Sequence, residues 1–250
     1  MNDLIFAANW KMHYGPEATD AFFDAFLSNY TPETDRSVWF FPPAVSLAAT
    51  VRRMRGQVDI IAGVQNVHWE PKGAFTGETS VSMAVESGAK AALVGHSERR
   101  HVFGETDEET GKKVRAVLDA GITPVFCVGE KIEERKRGAA RDVVNRQLSV
   151  LDGLDGDTLP EIVIAYEPVW AIGTGLNATP EDAAQMHGEI RTWFEAHGAG
   201  GEKCRILYGG SVKPENAASL VAESEINGVL VGGASLDPES WASIVRAGLD

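Results

Sequence analysis

Eight short runs of apolar and β-branched residues recur along the chain, at 4–8, 38–41, 60–62, 91–94, 125–128, 162–165, 206–208 and 229–231. Most show no polar alternation, which marks strands buried on both faces, and such strands belong to parallel sheets covered by helices. Segments of helical spacing separate them. One begins at Thr106 with Glu109 three residues on, a capping-box pattern, then places Val114, Val117 and Leu118 on one face and stops at Gly121. Another opens Thr179-Pro180-Glu181 and runs through Ile190 to Phe194, and Asp237-Pro238-Glu239 starts the last in the same manner. The chain therefore alternates β then α eight times. An open dinucleotide-binding sheet would place G-x-G-x-x-G after its first strand, where this chain has Asn9-Trp10-Lys11. The pattern predicts a closed, eight-stranded parallel (β/α)8 barrel, and the 250 residues match the length of about 250 typical of that fold. No linker or low-complexity segment interrupts the pattern, so residues 1–250 are read as a single domain.

Composition narrows the function classes. Acidic residues outnumber basic ones 36 to 23, for a formal charge of −13, which disfavours a nucleic-acid or anionic-membrane surface. A small anionic substrate remains compatible if cations and backbone N–H groups are concentrated locally. The two cysteines, Cys127 and Cys204, stand in neither a CxxC nor a Cys/His cluster, so no disulfide or zinc site is expected. No apolar run approaches the roughly 20 residues of a bilayer span, and the N-terminus lacks the basic start and cleavage site of a signal peptide. A cytoplasmic location is the expectation.

In a barrel of this kind reactive groups gather at the carboxyl ends of the strands, where the eight βα loops converge. The residues that follow the runs include Asn9-Trp10-Lys11, Pro42-Pro43, Gln65-Asn66, Gly95-His96-Ser97-Glu98, Gly129-Glu130, Gly209-Gly210-Ser211 and Gly232-Gly233. The sixth run ends in Glu167, and Pro168 at once stops a regular element. Val169-Trp170-Ala171-Ile172 and Gly173-Thr174-Gly175 then read as a lid beside an acid, although an ordinary turn with a solvated Glu fits that stretch alone equally well. Together the strand ends supply a cation, an imidazole, a lone acid and two Gly-rich turns, a set suited to carbon-acid chemistry on a phosphate ester.

Five of these stretches, in this order, resemble the triosephosphate isomerase family: Ala8-Asn9-Trp10-Lys11-Met12, Gly73-Ala74-Phe75-Thr76-Gly77-Glu78, Val94-Gly95-His96-Ser97-Glu98-Arg99-Arg100, Ala165 through Gly175, and Tyr208-Gly209-Gly210-Ser211-Val212, followed by Val231-Gly232-Gly233-Ala234-Ser235-Leu236. The resemblance covers essentially the whole chain. It implies a TIM barrel that interconverts dihydroxyacetone phosphate and D-glyceraldehyde 3-phosphate through an enediolate, in glycolysis and gluconeogenesis. That family is itself a standard illustration of a carboxylate base working with a neutral imidazole under a closing loop. By the resemblance Glu167 is the base, His96 the electrophile, and Lys11 and Asn9 contact the reacting oxygens. Glu98 orients the lysine, and Gly173, Ser211, Gly232 and Gly233, with Asn9 and Lys11, hold the phosphate. Glu130 has no catalytic role in the family, and His13, His68, His101, His187 and His197 are read as structural.

The 73–78 loop, with Phe75 and Thr76 at its centre, resembles the family's dimer loop and implies a homodimer. The preceding His68-Trp69-Glu70-Pro71-Lys72 is less typical of the family. Neither metal nor organic cofactor is implied, and the substrate is a triose phosphate. Two other readings stand beside this one. Another phosphate-binding barrel would share the glycine turns without the Asn9, Lys11, His96 and Glu167 set, and a non-catalytic binding protein on the same fold would lack a reactive group. The lid reading has its own consequence, since an enediolate open to water eliminates phosphate. Deleting residues 172–174 is expected to leave the fold intact and release methylglyoxal during turnover, measured by trapping the by-product; no rise would refute the lid.

Overall fold

A computed structural model of the chain describes residues 4–171 and 178–249. Its strands are β1 (Leu4–Asn9), β2 (Arg36–Phe41), β3 (Ile60–Val64), β4 (Ala91–Val94), β5 (Thr123–Val128), β6 (Val163–Tyr166), β7 (Arg205–Tyr208) and β8 (Gly228–Val231). They pair in chain order, all parallel, and β8 returns to β1 to close the barrel. Helices occupy the segments of helical spacing. Thr106 and Glu109 form the expected reciprocal cap on the Asp107–Asp119 helix, and Thr179 and Asp237 cap the Pro180–Ala196 and Pro238–Val245 helices through their side chains.

Every other strand contains its sequence run, but β6 is shifted along the chain by one residue. The Ile162 N–H donates back to the Leu159 carbonyl at 3.1 Å, closing the short turn Leu159–Glu161, so the ladder begins at Val163 and extends to Tyr166. Glu167 is then the first residue beyond β6.

The two-residue period of the strands sorts their side chains into two layers. Ile5, Ala7, Trp39, Phe41, Ala91, Leu93, Val125, Cys127, Val163, Ala165, Leu207 and Leu230 pack together inside the barrel. Their neighbours, such as Phe6, Ala8, Phe40, Ala92, Val94 and Ile164, face outward and join the helices in a larger cluster that includes Phe22, Phe23, Phe26 and Trp241. Two large rings from β2 fit the narrow interior because their neighbours are small: a Cβ on Gly63 would lie 2.3 Å from Phe41 Cε1. At the seam, Gly228 has φ +136° and an added Cβ would approach the Ile5 carbonyl oxygen to 1.9 Å, so only glycine lets β8 lie against β1. Counting on by two from the inner layer leads past the strand ends to Asn9, Gln65, Gly129, Glu167, Gly209 and Gly232, and this continuation builds the site.

His187, in the Pro180–Ala196 helix, is fully buried edge-on to Tyr166, with Nδ1 3.1 Å from the Glu225 carbonyl. Nε2 has no partner among the described residues. Burial pushes its pKa from 6.5 down to about 3, with Arg191 adding to the effect and the Glu225 carbonyl opposing it. The unfolded chain therefore takes up a proton below pH 6.5 that the folded chain refuses, and stability falls as pH drops from 6.5 towards 3. His187→Leu is expected to remove a dependence of about 1.4 kcal/mol per pH unit in that window, read from denaturant unfolding of both proteins. Parallel stability curves below pH 6.5 would contradict the assignment.

Candidate active site

A cavity of about 240 Å³ opens at the carboxyl end of the barrel, lined by residues that include Asn9, Lys11, His96, Glu167, Ser211, Gly232 and Gly233. Seven of the residues singled out in the sequence thus meet on one surface, and Glu98 joins them through Lys11. Gly173 and the rest of the 172–177 stretch lie outside the described residues. Phe75 and Thr76 do not line this cavity and sit in an exposed loop.

Glu167 is 3% exposed. Its own N–H donates to the Val128 carbonyl at 2.7 Å, tying the end of β6 to β5. Oε2 accepts the Ser97 N–H at 2.8 Å, and Oε1 lies 3.0 Å from His96 Nε2. Two glycines make its seat: a Cβ on Gly129 would strike the Glu167 carbonyl oxygen at 1.8 Å, and one on Gly209 would come within 2.8 Å of Cγ. Burial raises the Glu167 pKa, but His96, the Ser97 N–H and Lys11 outweigh it and hold the carboxyl below its usual range. The acid therefore rests ionised in a buried place.

His96 caps the Ser97–His101 turn, with Nδ1 accepting the Glu98 N–H at 3.3 Å. Burial is the largest influence and pushes its pKa down, but the Glu167 and Glu98 carboxylates together push it up by more. That field favours the cation, whereas the backbone N–H aimed at Nδ1 favours a neutral ring. The hydrogen bond decides the tautomer, because an imidazolium would set one N–H against another. The proton sits on Nε2, facing Glu167 and the cavity.

Lys11 has φ +49°, a left-handed conformation that costs a non-glycine residue about 1–2 kcal/mol. Three contacts impose it. Its N–H donates to Asn9 Oδ1 at 3.0 Å, its carbonyl accepts from Gln65 Nε2 at 2.8 Å, and its ammonium reaches Glu98 Oε1 at 2.7 Å. Gln65 also donates to the Phe41 carbonyl at 2.8 Å, so one amide clamps Lys11 to the end of β2. The sequence reading placed Gln65 at a strand end but gave it no role; the inward count from β3 was the available signal.

Glu130 was also passed over. It is fully buried, accepts from Tyr166 Oη at 3.1 Å and from Trp170 Nε1 at 2.9 Å, and lies 3.5 Å from Arg135. Arg135 in turn covers the Trp170 ring at 4.8 Å. This fixes the chain just before residue 172.

Ser211, Gly232 and Gly233 line the same cavity, and Gly232 lies beside the Lys11 side chain. Ser235 Oγ donates to the Gly232 carbonyl at 2.7 Å, closing the Gly233–Ser235 turn, and Asn216 Nδ2 donates to the Ser211 carbonyl at 3.0 Å. Among the described residues no acceptor takes the N–H of Ser211, Gly232 or Gly233. Such unpaired N–H groups make an anion cradle. No group of three or more His, Cys, Asp or Glu side chains is placed to hold a metal among the described residues.

A closed β/α barrel with an ionised carboxylate, a neutral imidazole and an anion cradle around one cavity defines an acid/base enzyme of phosphate esters. Within that class the chain belongs to the triosephosphate isomerase family, whose sequence model matches residues 4–248. It is 48% identical over 243 residues to the triosephosphate isomerase of Aquifex aeolicus (strain VF5), covering 96% of this chain and 98% of that protein. It is 47% identical over 251 residues to that of Solibacter usitatus (strain Ellin6076), covering 98% and 100%, and 46% identical to that of Symbiobacterium thermophilum, covering 99% and 97%.

The electrostatic coupling of the central pair is measurable without turnover. Glu167→Gln removes a negative charge that raises the His96 pKa, so the ring is expected to take its second proton at a lower pH than in the parent, read from imidazole nitrogen chemical shifts. An unchanged or higher midpoint would overturn the coupling.

Proposed function

We propose that the chain interconverts dihydroxyacetone phosphate and D-glyceraldehyde 3-phosphate by moving a proton between adjacent carbons through an enediolate, as a step of glycolysis and gluconeogenesis. The observation that carries this is the Glu167–His96 pair, 3.0 Å apart, lining a cavity together with Ser211, Gly232 and Gly233, whose N–H groups have no acceptor among the described residues. Glu167 is the base. At rest it is held by the Ser97 N–H and His96, and turning into the cavity would shed the contacts that depress its pKa, so basicity rises where the substrate proton lies. His96 donates from Nε2 to the carbonyl oxygen and passes the proton between the two substrate oxygens. Lys11 and Asn9 stabilise the developing oxyanion, with Glu98 and Gln65 holding Lys11 in place.

Ser211, Gly232 and Gly233, and Gly173 by resemblance, hold the phosphate, and the 172–177 stretch would close over it from the anchor at Glu130. Proton transfer between two carbons of one molecule changes no net oxidation state, so the chemistry calls for no redox cofactor.

The same reading includes a cytoplasmic homodimer. Met12 is 95% exposed, Phe103 69% and Phe75 41%, more apolar surface than a free loop needs. His68 stacks on Trp69 and packs tilted against Phe75, with centroids at 4.2 and 4.1 Å, and braces the loop that would enter a second copy. A second hollow beside the site, lined in part by Lys11, Met12, Glu98, Arg99 and Phe103, suits the partner's Phe75 and Thr76. No described helix is long and apolar enough to cross a membrane.

The test is turnover of glyceraldehyde 3-phosphate by the purified protein in chelator beside Glu167→Gln. Fast conversion in the parent and a loss of about 10³-fold or more in kcat for the variant are expected. No turnover by the folded parent would refute the function.

A further inference from the structure

The cavity wall contains a second cation, Lys213, beside the proposed phosphate end. Its backbone is fixed on both sides: the N–H donates to Asn216 Oδ1 at 2.8 Å, and the carbonyl accepts the N–H groups of Asn216 and Ala217 at 3.2 and 3.0 Å. The side chain is exposed, and among the described residues its ammonium enters no ion pair. Neighbouring charges explain why this matters. Lys11 is matched by Glu98 at 2.7 Å, and Glu167 is left over as a further negative charge on the wall. Without Lys213 the lining residues Lys11 and Glu167, together with the Glu98 that pairs with Lys11 from just outside the cavity, would sum to a net negative charge, on a chain whose formal charge is already −13. A phosphate dianion would meet repulsion until it reached the N–H cradle.

We propose that Lys213 is a steering and selecting residue that draws the phosphate group to the Ser211, Gly232 and Gly233 end of the cavity, so that the substrate enters with its carbonyl directed at His96. The inference rests on the function proposed above for its physiological meaning, but phosphate capture is measurable by itself. Lys213 acts at a distance through charge and stays solvated, so its contribution is screened by salt, unlike that of a group locked into the transition state.

Two readings test it on the intact protein. Binding of inorganic phosphate, followed by calorimetry at about 20 mM ionic strength, is expected to weaken about threefold in Lys213→Gln and about tenfold in Lys213→Glu, with Lys213→Arg near the parent. At about 0.5 M salt the differences are expected to close to within about twofold. The second reading is kcat/KM for glyceraldehyde 3-phosphate, which should fall in the same order and with the same salt dependence, with kcat carrying the smaller share of the loss. Phosphate binding that ignores the charge at position 213, or a loss of equal size at low and high salt, overturns the inference even where the parent turns over. An inactive parent whose phosphate affinity still follows the charge at 213 would instead sink the proposed reaction and leave the steering role standing.

Discussion

A base must be ionised to accept a proton and shielded from water to be strong, and a buried carboxylate satisfies both demands only if its surroundings hold the charge. Desolvating a lone carboxylate costs several kcal/mol even after relaxation. Around Glu167 the Ser97 N–H, the His96 Nε2 proton and the nearby Lys11 supply that compensation. Much of the local architecture follows. β4 must end in a turn that points a backbone N–H inward, and β5 and β7 must be followed by Gly129 and Gly209, because a Cβ there would strike the Glu167 backbone or its Cγ. Lys11 must sit close by in an unfavourable conformation, and Gln65 and Asn9 hold it there.

The barrel was legible because its signal is local. Both-face burial, caps and eight-fold alternation are written within single segments, and the strand ends follow once the fold is known. The cation, imidazole and acid were readable as types at strand ends, and the Lys11–Glu98 contact is the ion pair the resemblance implied. What escaped depends on distances between segments remote in sequence. Gln65 acts on a residue 54 positions away, and Gly129 matters only because Glu167 presses against it. Glu130 looked idle because its partners Tyr166 and Trp170 come from the next strand and the loop beyond it. The one-residue shift of β6 came from a backbone hydrogen bond at Ile162, which side-chain composition does not report.

The turn after β6 is anchored by buried polar contacts. Glu130, Tyr166, Trp170 and Arg135 form a buried polar knot at the last described residues before 172, with the acid fully desolvated and each partner donating to it. Such a knot is costly to break and geometrically specific. It holds Trp170 and the turn around it against the barrel. The same knot lies one residue from Glu167 through Tyr166, which ties its geometry to the position of that acid.

The contact between Phe41 and Gly63 bears on ancestry as well as on packing. Position 63 admits no methyl group while the ring is present, since the nearest ring atom would stand only 2.3 Å away. Trimming the ring first to alanine opens a void in the tightest part of the interior, at a cost of about 3–5 kcal/mol. Either single step crosses a valley of reduced stability, and even without the ring an added Cβ at 63 would stand 2.8 Å from the Ala91 carbonyl oxygen, so a paired exchange is strained too. A bulky residue from β2 opposite a bare one from β3 is therefore a heritable configuration, easier to keep than to exchange.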